Sequence, residues 1–199
     1  VKDANLEEIL LALKSLDTVE AVALGGSRST GASDENSDYD IYVYCTEIPT
    51  AETRENLLGK YCSIAEFGNH YWESEDNTVM NNGVPVDIIY RDVDRFGRYI
   101  DTVIKGGKAF NGYTTAFWHN IKNSKVLFDK TGTFTKFRDM AQIDFPENLR
   151  SAIIKNNRNL LNGKLPSYDR QIKKAQERGD IVSVNHRITA FLESYFDVI

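Results

Sequence analysis

Three aspartates carry most of the chemistry legible in this sequence. Asp38 and Asp40 open the run "SDYDIYVYC", and Asp87 interrupts the otherwise apolar "VPVDIIY". In an extended strand residues i and i+2 share a face, so Asp38 and Asp40 point to one side while Tyr39 and Ile41 point to the other. Two carboxylates so close repel each other unless water or a cation neutralises them. Mg²⁺ is the natural cation: it is hard, prefers oxygen, and is usually shared between a few carboxylates and substrate phosphates. Asp87 on a neighbouring strand would complete a set of three. Such a set can polarise a phosphoryl centre and stabilise its leaving group.

A second cluster lies just upstream, in "LGGSRS". Gly25 and Gly26 allow a tight bend and a close backbone approach to a ligand. Ser27 offers a hydroxyl and a backbone N–H at the start of a turn or helix, which suits a phosphate oxygen. Arg28 can add a charge-assisted contact. Gly-Gly-Ser alone is an ordinary turn, and Asp-Tyr-Asp alone an ordinary strand edge. With Gly, Ser and Asp each at roughly 5–7% usage, the joint spacing arises by chance in about one chain of this length in a hundred. The combined pattern therefore reads as a phosphate grip facing a metal site.

The elements that must position these residues follow from periodicity. Leu6, Ile9, Leu10, Leu13 and Leu16 predict an amphipathic helix over 4–16. "VEAVAL" (19–24), "YDIYVYC" (39–45) and "VPVDIIYR" (84–91) read as strands, and "KVLFD" (125–129) as a short last one. A helix is expected over about 51–61 and another after Asp92. Residues 62–82 read as polar and irregular, ending in the turn signal "MNNG". After Pro146 only helical stretches remain. The expected fold is α+β: a mixed β-sheet flanked by helices over residues 1–145, then a C-terminal helical bundle over 146–199. The chain starts at Val1 and ends in "FLESYFDVI", which reads as mid-helix, so trimmed termini are expected.

Bulk properties narrow the function classes. The 199 residues are 41% hydrophobic and 27% charged, as in an ordinary globular protein. A net charge of −5 disfavours broad nucleic-acid binding, which needs a basic face. No apolar stretch approaches the ~20 residues of a membrane span. Cys45 and Cys62 form neither a metal spacing nor a disulfide framework, and read as reduced thiols of a cytoplasmic protein.

"GGS", then "SDYDIYVY", then the lone aspartate of "PVDIIYR" resembles the nucleotidyltransferase superfamily of DNA polymerase beta-like fold. Within it the chain looks most like the bacterial antibiotic-type enzymes, the kanamycin and lincosamide adenylyltransferases, and their relatives. The core of the likeness spans about residues 20–91. "MNNGVPVDIIYRDVDR", "GYTTAFWHN" and "ERGD" extend it, less specifically, towards one bacterial branch. The resemblance implies Mg²⁺, a nucleoside triphosphate (usually ATP), and transfer of its NMP moiety to a hydroxyl with release of pyrophosphate. It implies that Gly26 and Ser27 bind the triphosphate, beside the Arg28 contact read from the residues above, that Asp38 and Asp40 bind metal, and that Asp87 is the third carboxylate, which helps bind metal and takes the proton of the attacking hydroxyl.

The acceptor expected from this likeness is a small hydroxylated molecule. A protein or RNA acceptor, or a nucleotide-binding module without turnover, is the alternative, and homodimerisation stays open. Kanamycin-type enzymes also take a carboxylate base and a lysine from the helical domain. Glu193, Lys173 and Lys174 lie in that region here without an alignable motif, and a solvated helix face explains each about as well. His70, His119 and His186 share no metal spacing. Tyr71 and Trp72 could line a cleft, though packing under a long loop is the plainer reading. Tyr39, Tyr42 and Tyr44 are expected to pack the sheet.

Overall fold

The computed structural model describes residues 3–34 and 37–199. Six strands form one sheet in the order β3-β4-β5-β2-β1-β6. The strands are β1 (Val19–Leu24), β2 (Tyr39–Cys45), β3 (Cys62–Asn69), β4 (Ser74–Met80), β5 (Pro85–Asp92) and β6 (Lys125–Asp129). β2 and β5 run parallel and the other neighbours antiparallel, so the sheet is mixed. In chain order the same stretch carries α1 (Ala4–Lys14), α2 (Gly26–Thr30), α3 (Ala51–Leu58), α4 (Val93–Ile104), α5 (Ala116–Asn123) and α6 (Thr133–Ala141). Past Pro146 the chain is helical, with α7 (Glu147–Arg158), α8 (Tyr168–Glu177) and α9 (Ile181–Val198). This is the α+β architecture that the sequence implied. No helix among the described residues is long and apolar enough to cross a membrane.

One expectation fails. Residues 62–82, read as irregular, form the β3–β4 hairpin at one edge of the sheet. β3 is largely exposed and broken by register shifts, so its apolar residues do not alternate cleanly. β4 does alternate, but its inward residues are Asp76, Thr78 and Met80, and two of the three are polar. A pattern search weighted to apolar residues passes over such a strand.

By contacts the chain divides into two compact units, Val1–Arg98 with Asn120–Gln142, and Tyr99–His119 with Ile143–Ile199. In the first unit, one face of the sheet is the core. Leu6, Ile9, Leu10 and Leu13 of α1 and Leu58 of α3 pack on Val22, Ile41, Val43, Val86 and Ile88. Asp3 caps α1 by accepting from the Asn5 and Leu6 backbone N–H groups. A buried ion pair joins this side: Arg54 of α3 meets Asp76 of β4 at 3.0 Å, and its guanidinium lies 4.5 Å from the Tyr90 ring centre. Burial pushes the Asp76 carboxyl up, against the pull of the Gly68 N–H and Arg54.

In the second unit Leu149 and Ile153 of α7 are buried. Asp197 of α9 accepts from the Thr114 backbone N–H, the Thr114 hydroxyl and the Asn157 side-chain amide at 2.8–2.9 Å. That carboxylate ties together three stretches far apart in sequence.

Removing one partner of a buried ion pair strands the other charge, which typically costs about 3–5 kcal/mol. Asp76→Ala should therefore lower the urea midpoint of the chain by that much stability. The double change Arg54→Met with Asp76→Leu should lie closer to wild type, because no uncompensated charge remains.

Candidate functional site

The second face of the sheet carries the polar residues. In the parallel β2–β5 ladder Asp40 pairs directly with Asp87, Tyr42 with Ile89, and Tyr44 with Arg91. On the other side of β5, Asn77 of β4 is the register partner of Asp87 and Glu75 that of Ile89. Asp40, Asp87 and Asn77 therefore form one row across three strands, with Asp38 just before β2.

The carboxylates sense one another. The Asp40 carboxyl is held above its ordinary value by burial, then by the charges of Asp38 and Asp87. The structure thus brings together the three aspartates named from sequence. Among the described residues no group of three His, Cys, Asp or Glu side chains is arranged to hold a metal ion by itself. The donors are oxygen only, and mutual repulsion acts on Asp40. Those features fit a hard cation that completes its shell with substrate oxygens.

The Gly-Ser turn is locked to the same spot. The Gly25 N–H donates to the Asp40 carbonyl at 2.8 Å, which fixes the end of β1 against the start of β2. Gly26 has φ +58°, and a Cβ added there would lie 1.7 Å from Asp40 Oδ2. A side chain at Gly26 would occupy the space of the carboxylate. A Cβ at Gly25 would likewise lie 2.2 Å from the Tyr42 ring. α2 starts at Gly26, and no side chain among the described residues caps it. Its end is closed by Gly31 in the left-handed conformation, φ +78°.

Arg28 faces back towards the loop. Its Nε donates to the Ser37 and Asp38 carbonyls at 3.0 and 2.9 Å, its Nη2 also donates to Ser37, and the guanidinium lies 4.1 Å from the Tyr39 ring centre. It anchors the segment that delivers Asp38.

Beyond the aspartates this face closes over. Tyr44 is fully buried and meets Phe96, Phe134 and Phe137 at 5.2–6.0 Å between ring centres. Between the aromatic cover and the aspartates lies Arg91, 4% exposed. It donates to both Glu73 oxygens at 2.8 and 2.6 Å and lies 4.2 Å from the Tyr42 ring centre. The Tyr42 hydroxyl accepts from the Asn120 side chain at 3.2 Å, and burial pushes its phenol up to about 12. Glu75 is a fourth carboxylate beside the row. Burial, then Asp87 and Glu73, hold it above the ordinary value.

Sequence reading missed Asn77, Glu73 and Glu75 because it missed the β3–β4 hairpin, and it missed Arg91 because nothing marks a strand-end arginine. The i, i+2 recurrence of Glu73, Glu75 and Asn77 was the available signal. Tyr71 and Trp72 are not packed under a loop: they are 83% and 90% exposed in the β3–β4 turn. Tyr39, Tyr42 and Tyr44 pack the sheet as expected. Glu193, Lys173 and Lys174 are exposed residues of the second unit. Cys45 and Cys62 are both free thiols.

Residues 6–110, over half of the chain, match the nucleotidyltransferase domain family, and the chain belongs to that family. No curated protein matches it significantly. Two solved structures are similar over most of its length. One is a nucleotidyltransferase-like protein from Exiguobacterium sibiricum, 11% identical with a TM-score of 0.45, covering 96% of this chain and 53% of that one. The chain thus spans about half the length of that protein. The other is spectinomycin adenyltransferase AAD(9) from Enterococcus faecialis, solved with ATP and spectinomycin, 13% identical with a TM-score of 0.44, covering 98% of this chain and 89% of that one.

Because the folded state raises the Asp40 pKa from 3.8, the stability linked to this group is full below about that pH and is lost as pH rises through the folded value. Above the folded value the ionised carboxylate opposes folding. Asp40→Asn should raise the Tm in metal-free buffer at pH 7, and the gain should vanish in acid. Gly26→Ala should lower the Tm, since its Cβ meets Asp40 Oδ2 and its φ disfavours any side chain.

Proposed function

We propose that the chain is an Mg²⁺-dependent nucleotidyltransferase that moves the NMP group of a nucleoside triphosphate, AMP from ATP, to a hydroxyl of a small molecule. What carries the reading is the pairing of Asp40 with Asp87 beside Asp38, at the spot where Gly26 has no room for a side chain. A set of unneutralised carboxylates next to a glycine-opened turn is a costly arrangement for a fold and a useful one for a triphosphate.

In this reading Asp38, Asp40 and Asp87 hold the cation, which when bound screens the phosphate charges and supplies Lewis acidity at the reacting phosphorus. Gly26 and Ser27 receive the triphosphate through backbone N–H groups and the serine hydroxyl. Arg28 keeps the Asp38 segment in place. Asp87 receives the proton of the attacking hydroxyl. The hydroxyl oxygen bonds to the α-phosphorus, the bond to the bridging oxygen breaks, and pyrophosphate leaves. The acceptor is a small hydroxylated compound in the manner of antibiotic-type adenylyltransferases.

Isothermal titration with a non-hydrolysable ATP analogue, with and without Mg²⁺, tests the site. Micromolar binding that requires Mg²⁺ is expected, weakened more than about tenfold in Asp38→Ala and Asp40→Ala. Failure to bind any nucleoside triphosphate, or equal binding by both variants, would defeat the proposal. Pyrophosphate release across a panel of hydroxylated small molecules then tests the acceptor class. Turnover only with a protein or an RNA end would overturn the small-molecule assignment alone.

A further inference from the structure

Asp87 does not stand alone on its strand. Its Oδ1 accepts a hydrogen bond from the Asn77 side-chain amide at 2.9 Å. The Oδ1 of Asn77 accepts from the Asn69 side-chain amide at 2.8 Å. The Oδ1 of Asn69 accepts in turn from the backbone N–H of Tyr71 at 2.9 Å, two residues on, as in an Asx turn. The chain of donors therefore runs in one direction, from the tip of the β3–β4 hairpin to the carboxylate.

That direction is imposed at both ends. A backbone N–H can only donate, and an ionised carboxylate can only accept. An asparagine amide can otherwise flip with little change of shape. Here a flip of Asn77 would set its oxygen against Asp87 and its NH₂ against the Asn69 donor. Asn69 and Asn77 are diagonal neighbours on the β3–β4 pair, since Asn69 pairs with Glu75, and both lie on the face of the aspartate row. Glu75, without such a donor among the described residues, lies beside them on the same face.

Resting on the reading of Asp87 as the third carboxylate, we propose that Asn77 and Asn69 are positioning residues. They form an amide relay, set by the Tyr71 backbone, that commits one oxygen of Asp87 to the hairpin and leaves the other for the cation and the acceptor hydroxyl. The β3–β4 hairpin is then part of the catalytic apparatus rather than an edge decoration. A change at its tip alters Asp87 without touching it.

Titration of the full chain with the ATP analogue, with and without Mg²⁺, separates this role from a merely structural one. Asn77→Asp keeps the shape but turns the donor into a second carboxylate. It should weaken the Mg²⁺-dependent binding by about tenfold or more, with Asn77→Ala losing less. Asn69→Ala should weaken Mg²⁺-dependent binding too, and the double variant Asn69→Ala with Asn77→Ala should lose less than the two single losses combined. In ¹⁵N–¹H spectra the Asn77 side-chain amide signals should shift in Asn69→Ala. Wild-type Mg²⁺ dependence retained in Asn77→Asp, or Asn77 signals indifferent to Asn69, would overturn the relay while leaving the nucleotide site standing. Absence of Mg²⁺-dependent binding in the wild-type chain would overturn the site reading and the relay's purpose with it.

Discussion

The site depends on the parallel, in-register pairing of β2 with β5. Parallel strands start at the same edge of a sheet, so the first residues of both face the same solvent. Asp40 and Asp87, far apart in sequence, are thereby placed side by side. Antiparallel β1 ends at that edge too, which brings the Gly25–Gly26 turn to the Asp40 backbone. A parallel pair cannot be closed by a tight turn and needs a long crossover. Here the crossover contains α3 and the β3–β4 hairpin, and the hairpin brings Glu73 to Arg91 and Asn77 to Asp87, with Glu75 beside them. The topology that pairs the carboxylates also recruits their neighbours.

Along β2 one face changes character within a few residues. Tyr44 lies under an aromatic cover, Tyr42 lies against Arg91, and Asp40 sits among like charges. The opposite face holds Ile41, Val43 and Cys45 in the apolar core throughout. The electrostatic cost is thus confined to one end of one face, and buried apolar area on the other side outweighs it. Arg91 is well placed as the boundary. Its charge is matched by Glu73 and its plane by aromatic rings, so it ends the polar stretch without adding a loose cation to the site.

Much of this was legible in the sequence. The aspartate spacing, the glycine pair and the interruption of an apolar strand by Asp87 each stand out against a simple periodic background. α1, β1, β2 and β6 follow the hydrophobic pattern closely. The hairpin did not, since β3 is an exposed edge and β4 turns polar residues both ways. Its residues matter through cross-strand partners, and pairing across strands leaves no trace in local spacing. Arg28 illustrates the same limit. Its type suggested a phosphate contact, but its hydrogen bonds to the Ser37 and Asp38 carbonyls depend on where those groups come to rest, which local spacing does not record.

The buried Arg54–Asp76 pair has a meaning beyond its energy. Asp76 lies between Glu75 and Asn77 on β4, pointing the other way. A strand that slid by one residue would exchange its two faces, carrying Asp76 to the aspartate row and Asn77 into the apolar core. β4 has too few large apolar residues to forbid that slide by hydrophobicity alone. Arg54 opposes it by charge and fit: a slide one way sets the neutral Asn77 against the guanidinium, and a slide the other way forces the longer Glu75 side chain into the space that Asp76 fills. The ion pair behind the sheet acts as an index pin: it fixes, from the side that never meets solvent, which side chains of β4 the other side presents.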